Sequence, residues 1–124
     1  MQIKESAENY LETILMLHMK NGSVRSIDIA HHMEFTKASV SVAMKNFRQE
    51  GYITVAEDGE IHLTEKGKAI AVRVYERHQV ITEALIALGV SPETASADSC
   101  KIEHDISEET FLCIKNYLKN SANE

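Results

Sequence analysis

Few of the features that place a chain in a special class are present in this sequence. No run of apolar residues approaches the roughly 18 to 20 that span a bilayer, and the opening MQIKESAENYLE lacks the charged-then-apolar order of a signal peptide. A soluble, cytoplasmic protein with no membrane partner is expected. Two cysteines, Cys100 and Cys113, are too few for a disulfide framework, so reduced thiols are expected, either of them available as a ligand. A single proline leaves no proline-rich linker, and no repeat or low-complexity tract interrupts the chain. There is no glycine-rich loop and no oxyanion-hole candidate, which speaks against an enzyme. What remains is ordinary globular composition: 124 residues, 44% hydrophobic and 26% charged, enough for one domain or two small ones sharing a core.

A net charge of −6 argues against a nucleic-acid binder until its distribution is considered. Residues 1–78 carry ten Lys/Arg against eleven Asp/Glu, whereas residues 79–124 carry three against eight. Between residues 20 and 50 the balance reverses, with Lys20, Arg25, Lys37, Lys45 and Arg48 set against Asp28, Glu34 and Glu50. A locally basic segment of this kind can dock on phosphates.

Apolar residues at helical spacing predict a first helix over residues 6–20, capped by Ser6 and stopped at Asn21-Gly22. A short helix follows Ser26 as its cap, and a third runs over about 37–50 with Val40, Ala43, Met44 and Phe47 facing inward. Tyr52-Ile-Thr-Val55 and Glu60-Ile-His-Leu63 flank Asp58-Gly59, a hairpin signal. Thr64 caps a long helix over about 65–88 that outlasts a single small core and connects two halves. Ser91-Pro92 opens a helix reaching about His104, and Ser107 opens the last, with Phe111, Ile114, Tyr117 and Leu118 spaced for one buried stripe.

Helix, short helix, tight turn, helix and hairpin is the order of a winged helix-turn-helix, here over residues 5 to about 70. The fold class is therefore mainly α: a winged helix-turn-helix domain over 1–70, followed by an α-helical domain over 71–124. In this architecture the second helix of the pair enters the major groove. With Val40, Ala43, Met44 and Phe47 inward, Thr36, Lys37, Ser39, Ser41, Lys45 and Arg48 face away, and Arg25 adds a cation nearby in sequence. Small hydroxyls reach base edges or phosphates, and the cations suit phosphates. The wing, with Glu57, Asp58 and Glu60, is acidic and a poor grip for the minor groove. The bland alternative is a solvated helix in an interaction module.

Cys100, Glu103 and His104 stand at i, i+3 and i+4, which brings a thiolate, a carboxylate and an imidazole to one helix face. Such mixed donors suit a first-row divalent ion better than magnesium or calcium. The alternative is a half-buried thiol beside a solvent-facing Glu and His. Cys113, between Leu112 and Ile114, reads as a small buried apolar residue. His31 and His32 read as surface or DNA-proximal residues, and His18 and His62 have no partner at ligand spacing.

Glu8-Asn-Tyr-Leu-Glu-Thr-Ile14, Asp28-Ile-Ala30, Leu63-Thr-Glu-Lys-Gly67, Arg77-His78 and Ile102-Glu-His104 together resemble the metal-dependent repressor family that includes the diphtheria toxin repressor and the manganese transport regulator. The resemblance runs over nearly the whole chain in family order, in the form without a third SH3-like domain. It implies an N-terminal winged helix, a helical domain that dimerises and binds metal, and repression of iron- or manganese-uptake genes when Fe2+ or Mn2+ is bound. Carried over residue by residue, it implies metal ligands at Asn9, through its side-chain carbonyl, and at Glu12, His78, Cys100, Glu103 and His104. Asn9 stands where the manganese type has aspartate and the iron type methionine, and Cys100 where they have glutamate and cysteine. The site is a hybrid, inclined to iron by its thiolate, with Co2+, Ni2+ and Zn2+ as further ions in vitro. Ser96 and Thr82 occupy the positions of the iron type's ancillary site, which implies its loss.

The resemblance also implies a homodimer, with an interface expected within residues 92–118, and a palindromic double-stranded operator whose major grooves lie about 34 Å apart. Two rivals remain at this point. One is a metal-independent winged-helix regulator answering to a small molecule or protein partner. The other is a hydrolase using Cys100 and His104.

Overall fold

The computed structural model describes residues 5–122, and the chain divides into two compact units, Met1–Val72 and Arg73–Glu124. The first holds α1 (Glu5–Asn21), α2 (Ser26–Met33), α3 (Lys37–Gln49), β1 (Ile53–Val55) and β2 (Ile61–Leu63), and it includes the opening turns of α4 (Glu65–Ala87). The second holds the remainder of α4, then α5 (Pro92–Ile102) and α6 (Glu108–Ala122). No helix among the described residues is long and apolar enough to cross a membrane.

Helix α1 includes its expected cap. Ser6 lies inside the first turn, where Glu5 and Glu8 complement the positive end of the helix dipole. Arg25, not Ser26, occupies the cap position of α2, and the Asp28 carboxylate accepts its N–H at 2.9 Å. Glu34 ends α2 in the left-handed region at φ 58°, its N–H bonded to Ala30 O, a conformation costing a non-glycine residue about 1 kcal/mol. That tight turn sets the start of α3, where Thr36 Oγ1 accepts the Ser39 N–H at 3.1 Å.

Leu11, Ile14 and Leu17 of α1, Val24, Ile29 of α2, Val40, Met44 and Phe47 of α3, Ile53 and Ile61 of the hairpin, and Ala71 of α4 form one buried cluster. At about 1.5–3 kcal/mol for each large side chain buried, this cluster dominates the unit's stability. Tyr10 packs its ring 5.7 Å from Phe35 and 5.6 Å from Phe47, which fixes α1 against both ends of the turn-and-helix segment. The hairpin is antiparallel with Ile53 opposite Leu63 and Val55 opposite Ile61, and the Ile61 N–H donates to Val24 O at 2.8 Å.

The segment Thr64 to Gly67 closes the hairpin onto α4. Thr64 N–H donates to Tyr52 O at 3.0 Å, its hydroxyl donates to Gly51 O at 2.6 Å, and Oγ1 accepts the Gly67 N–H at 3.2 Å. Lys66 Nζ reaches Glu50 O at 3.1 Å and lies over the Tyr52 ring. Glycine is required at 67, because a Cβ there would stand 2.1 Å from Tyr52 O.

In the second unit Val74 and Ile81 of α4, Ala95 of α5 and Phe111 of α6 are buried. Ser91 caps α5 with Pro92 in its first turn, and Ser107 Oγ accepts the Thr110 N–H at 3.1 Å. Thr82 Oγ1 donates to Ser99 Oγ at 2.8 Å, and Ser99 passes a hydrogen bond to Ala95 O at 2.7 Å. The apolar stripe of α6 is narrower than expected. Phe111 is buried and Ile114 and Leu118 are half-buried, but Tyr117 is 71% exposed. Cys113, expected inside, is exposed, because at about 100° per residue a position two on from Phe111 points to the opposite side.

Candidate metal centre and nucleic-acid interface

Position 103 closes α5 as its C-cap, in αR geometry, so Cys100 sits in the last helical turn and Glu103 just past it. The imidazole of His78 comes from α4. His78 Nδ1 lies 2.9 Å from Glu103 Oε2 and 3.8 Å from Cys100 Sγ, and donor atoms of the three side chains all fall within 4.8 Å of one another. Donors around a tetrahedral ion with bonds of about 2.0–2.3 Å are separated by roughly 3–4 Å, so little rearrangement is needed to receive one. The site also stands at the negative end of α5.

Glu103 is only 1% exposed. A buried carboxylate is costly unless paired, and this one is satisfied on one side only: Oε2 meets His78, while Oε1 makes no hydrogen bond and has His104 Nε2 at 3.5 Å. That buried oxygen, with a thiol and an imidazole beside it, fits a divalent transition-metal ion.

Helix α5 ends at Ile102, so His104 falls beyond the cap and meets the other oxygen of Glu103, and it is His78 that joins Cys100 and Glu103. Asn9 and Glu12 lie on α1 in the first unit, Glu12 buried and Asn9 half-buried. Of the ancillary positions, Thr82 is bonded to Ser99 and Ser96 Oγ lies 3.4 Å from His78 Nε2. Spacing alone missed two things. His18 and His62 stack edge-on at 5.7 Å between ring centres, and Arg77, quoted only as part of a motif, is buried against the turn that carries Glu103.

On α3 the residues expected to face away do so: Thr36, Lys37, Ser39, Ser41, Lys45 and Arg48 are all exposed, while Val40, Met44 and Phe47 are buried. The Thr36 and Ser39 hydroxyls bond each other at 2.9 Å as part of the cap. Arg25 is exposed and tied to the wing, with Nη2 at 3.1 Å from Asp58 Oδ2 and Nε donating to Asp58 O at 3.3 Å. The Glu60 amide, bonded to Asp58 Oδ1 at 3.0 Å, and then the Arg25 charge hold the Asp58 carboxyl below its ordinary value.

Residues 2–61 match the iron dependent repressor N-terminal DNA binding domain, and residues 64–123 match the iron dependent repressor metal binding and dimerisation domain. Transcriptional regulator MntR of Salmonella typhimurium is 33% identical over 108 residues, covering 87% of this chain and 69% of its own length. The chain belongs to the iron-dependent repressor family. Another similar protein is the iron-dependent repressor IdeR of Mycobacterium tuberculosis, 28% identical over 96% of this chain, of whose length the chain spans 52%. Among solved structures, T. acidophilum IdeR superposes with a TM-score of 0.81 at 23% identity, over 96% of this chain and 55% of that one. A manganese-dependent repressor in complex with manganese gives 0.83 at 20%, over 91% and 52%. At such identities the superpositions speak to fold. As a member of the iron-dependent repressor family the chain is a metal-dependent, DNA-binding transcriptional repressor with a dimerisation domain, and not an enzyme.

Proposed function

We propose that this repressor responds to Fe2+ before Mn2+, through an ion held by His78, Cys100 and Glu103, and that the loaded homodimer binds a palindromic operator of metal-uptake genes in the cytoplasm. The observation that carries the reading is the buried Glu103 carboxylate, with its unbonded Oε1, set among the imidazole of His78 and the thiol of Cys100. The thiolate is the reason for placing iron first, since a soft donor favours Fe2+ over Mn2+. On the family resemblance, His104, Glu12 and Asn9 are included as further ligands. Bound there, the ion would supply positive charge to the buried carboxylate and cross-link the residues that ligate it.

The chain's own groups do the rest. In the metal-free chain the contact between the Glu103 carboxylate and His78 Nδ1 at 2.9 Å sets the ring's orientation, and Lys37, Lys45, Arg48 and Arg25 are assigned to phosphates, with Thr36, Ser39 and Ser41 close enough to the helix N-terminus to touch base edges or phosphates. Metal and operator are then linked, and the linkage is reciprocal: the factor by which metal tightens DNA is the factor by which DNA tightens metal.

The test uses a duplex selected by the loaded protein from a random library, with binding followed by fluorescence anisotropy under anaerobic conditions. Fe2+ is expected to raise affinity at least tenfold for the wild type and far less for Glu103→Gln, with the same factor recovered when metal is titrated with and without the duplex. Equal DNA affinity with and without metal, or in both proteins, would favour a metal-independent regulator instead.

A further inference from the structure

Arg77 and His78 are consecutive on α4, so their side chains leave the helix about 100° apart and ought to have separate targets. Both nevertheless end on residue 103. His78 Nδ1 meets the Glu103 carboxylate at 2.9 Å, and Arg77 Nη1 donates to the Glu103 carbonyl at 3.2 Å. The same Nη1 donates to Ile106 O at 2.9 Å, so the turn that follows α5 has two carbonyls bound by one guanidinium. Carbonyls at the end of a helix lack intrahelical partners, which makes them ready acceptors. Arg77 Nη2 donates to Glu108 Oε2 at 2.8 Å, at the first residue of α6, and the guanidinium lies 5.3 Å from the Phe111 ring centre. One side chain, 9% exposed, thus fastens α4 to the turn bearing Glu103 and to the first turn of α6.

Stability alone does not account for this arrangement. Arg77 Nε is buried with no hydrogen bond, a penalty that an apolar residue would avoid, and Glu108 is 64% exposed, where an ion pair adds little. What a planar, forked guanidinium supplies and a lysine cannot is several donors in fixed directions. Resting on the metal centre proposed above, we infer that Arg77 is a positioning residue for it: its grip on the backbone of the 103–106 turn places the Glu103 carboxylate where His78 and Cys100 converge, and joins occupancy of the centre to the first turn of α6.

The experiment titrates the full chain anaerobically with Co2+ alone, reading affinity from the visible spectrum, for wild type, Arg77→Met, Arg77→Lys and Glu108→Gln, and repeats Arg77→Met in a Glu103→Gln background. Loss of an outer-shell partner is expected to weaken Co2+ about 10–100-fold in Arg77→Met, nearly as much in Arg77→Lys and a few-fold in Glu108→Gln. The Cys100 thiolate-to-cobalt absorption should persist at saturation. In the Glu103→Gln background the further loss should shrink to under about twofold, because both changes act on one group. Amide exchange in the metal-free protein should quicken across residues 103–108. Unchanged Co2+ affinity in a folded Arg77→Met, or the same loss in both backgrounds, would overturn the inference. If Arg77→Met does not fold, faster exchange with unchanged affinity in Arg77→Lys and Glu108→Gln overturns it equally. Co2+ affinity indifferent to Glu103→Gln itself would remove the metal centre, and this inference with it.

Discussion

In the site proposed above, Cys100 is the donor on which the choice of ion turns. A thiolate contributes most to the softer first-row metals and least to Mn2+, so Cys100→Ser is expected to cost Co2+ and Zn2+ at least tenfold more affinity than Mn2+, as measured by competition titration. Asp58 makes a second prediction at this scale. The Glu60 amide and Arg25 depress its carboxyl in the folded state, so its support for the wing is complete above the ordinary carboxylate value near pH 4 and is lost as the pH falls through the lower folded value. Carboxyl-carbon NMR should show Asp58 titrating below a typical aspartate, and Arg25→Ala should move it part of the way back. Spacing made Cys100, Glu103 and His104 visible as a group, because i, i+3 and i+4 is a local relation. His78 is 22 positions from Cys100, and only the family resemblance tied it to them. The role of Arg77 left no trace in residue types, since what it binds is backbone.

Elements were legible where a cap or turn residue marks them. Thr64, Ser91-Pro92, Ser107 and the Asp58-Gly59 hairpin all stand where the sequence puts them. The exceptions are local: Ser6 lies within α1 instead of capping it, and α5 stops at Ile102, two residues short of His104. Gly67 shows how tightly α4 is laid against the hairpin. Gly67→Ala would press a Cβ into the Tyr52 carbonyl, and a loss of about 2–3 kcal/mol is expected, to be read as a lower denaturation midpoint in urea. On α3, exposed Lys45 and Arg48 are assigned to phosphates. Lys45→Ala should weaken all duplexes nearly uniformly and reduce the slope of log K against log salt by about 1, whereas a base-reading residue would change sequence preference.

For the whole molecule, the acidic excess of residues 79–124 and the locally basic stretch before them separate two tasks along one chain. Composition showed that division, and the alternation of helices with a small hairpin showed the fold class. What it could not show was which apolar residues of α6 face inward, because a stripe meant for a partner has the same spacing as one meant for the core. Leu112 is 44% exposed and Tyr117 is 71% exposed in the single chain, and we assign them to the dimer. Leu112→Glu or Tyr117→Glu should leave the thermal midpoint of the monomer nearly unchanged and raise the dimer dissociation constant at least tenfold by sedimentation equilibrium. The most direct test of the account is an anaerobic calorimetric titration of the metal-free chain with Fe2+, Mn2+, Co2+ and Zn2+, set beside Glu103→Ala and Cys100→Ser. Micromolar or tighter binding in the wild type, lost in Glu103→Ala and weakened most for the softer ions in Cys100→Ser, is the predicted result; binding indifferent to both substitutions, or none at all in the wild type, would contradict it.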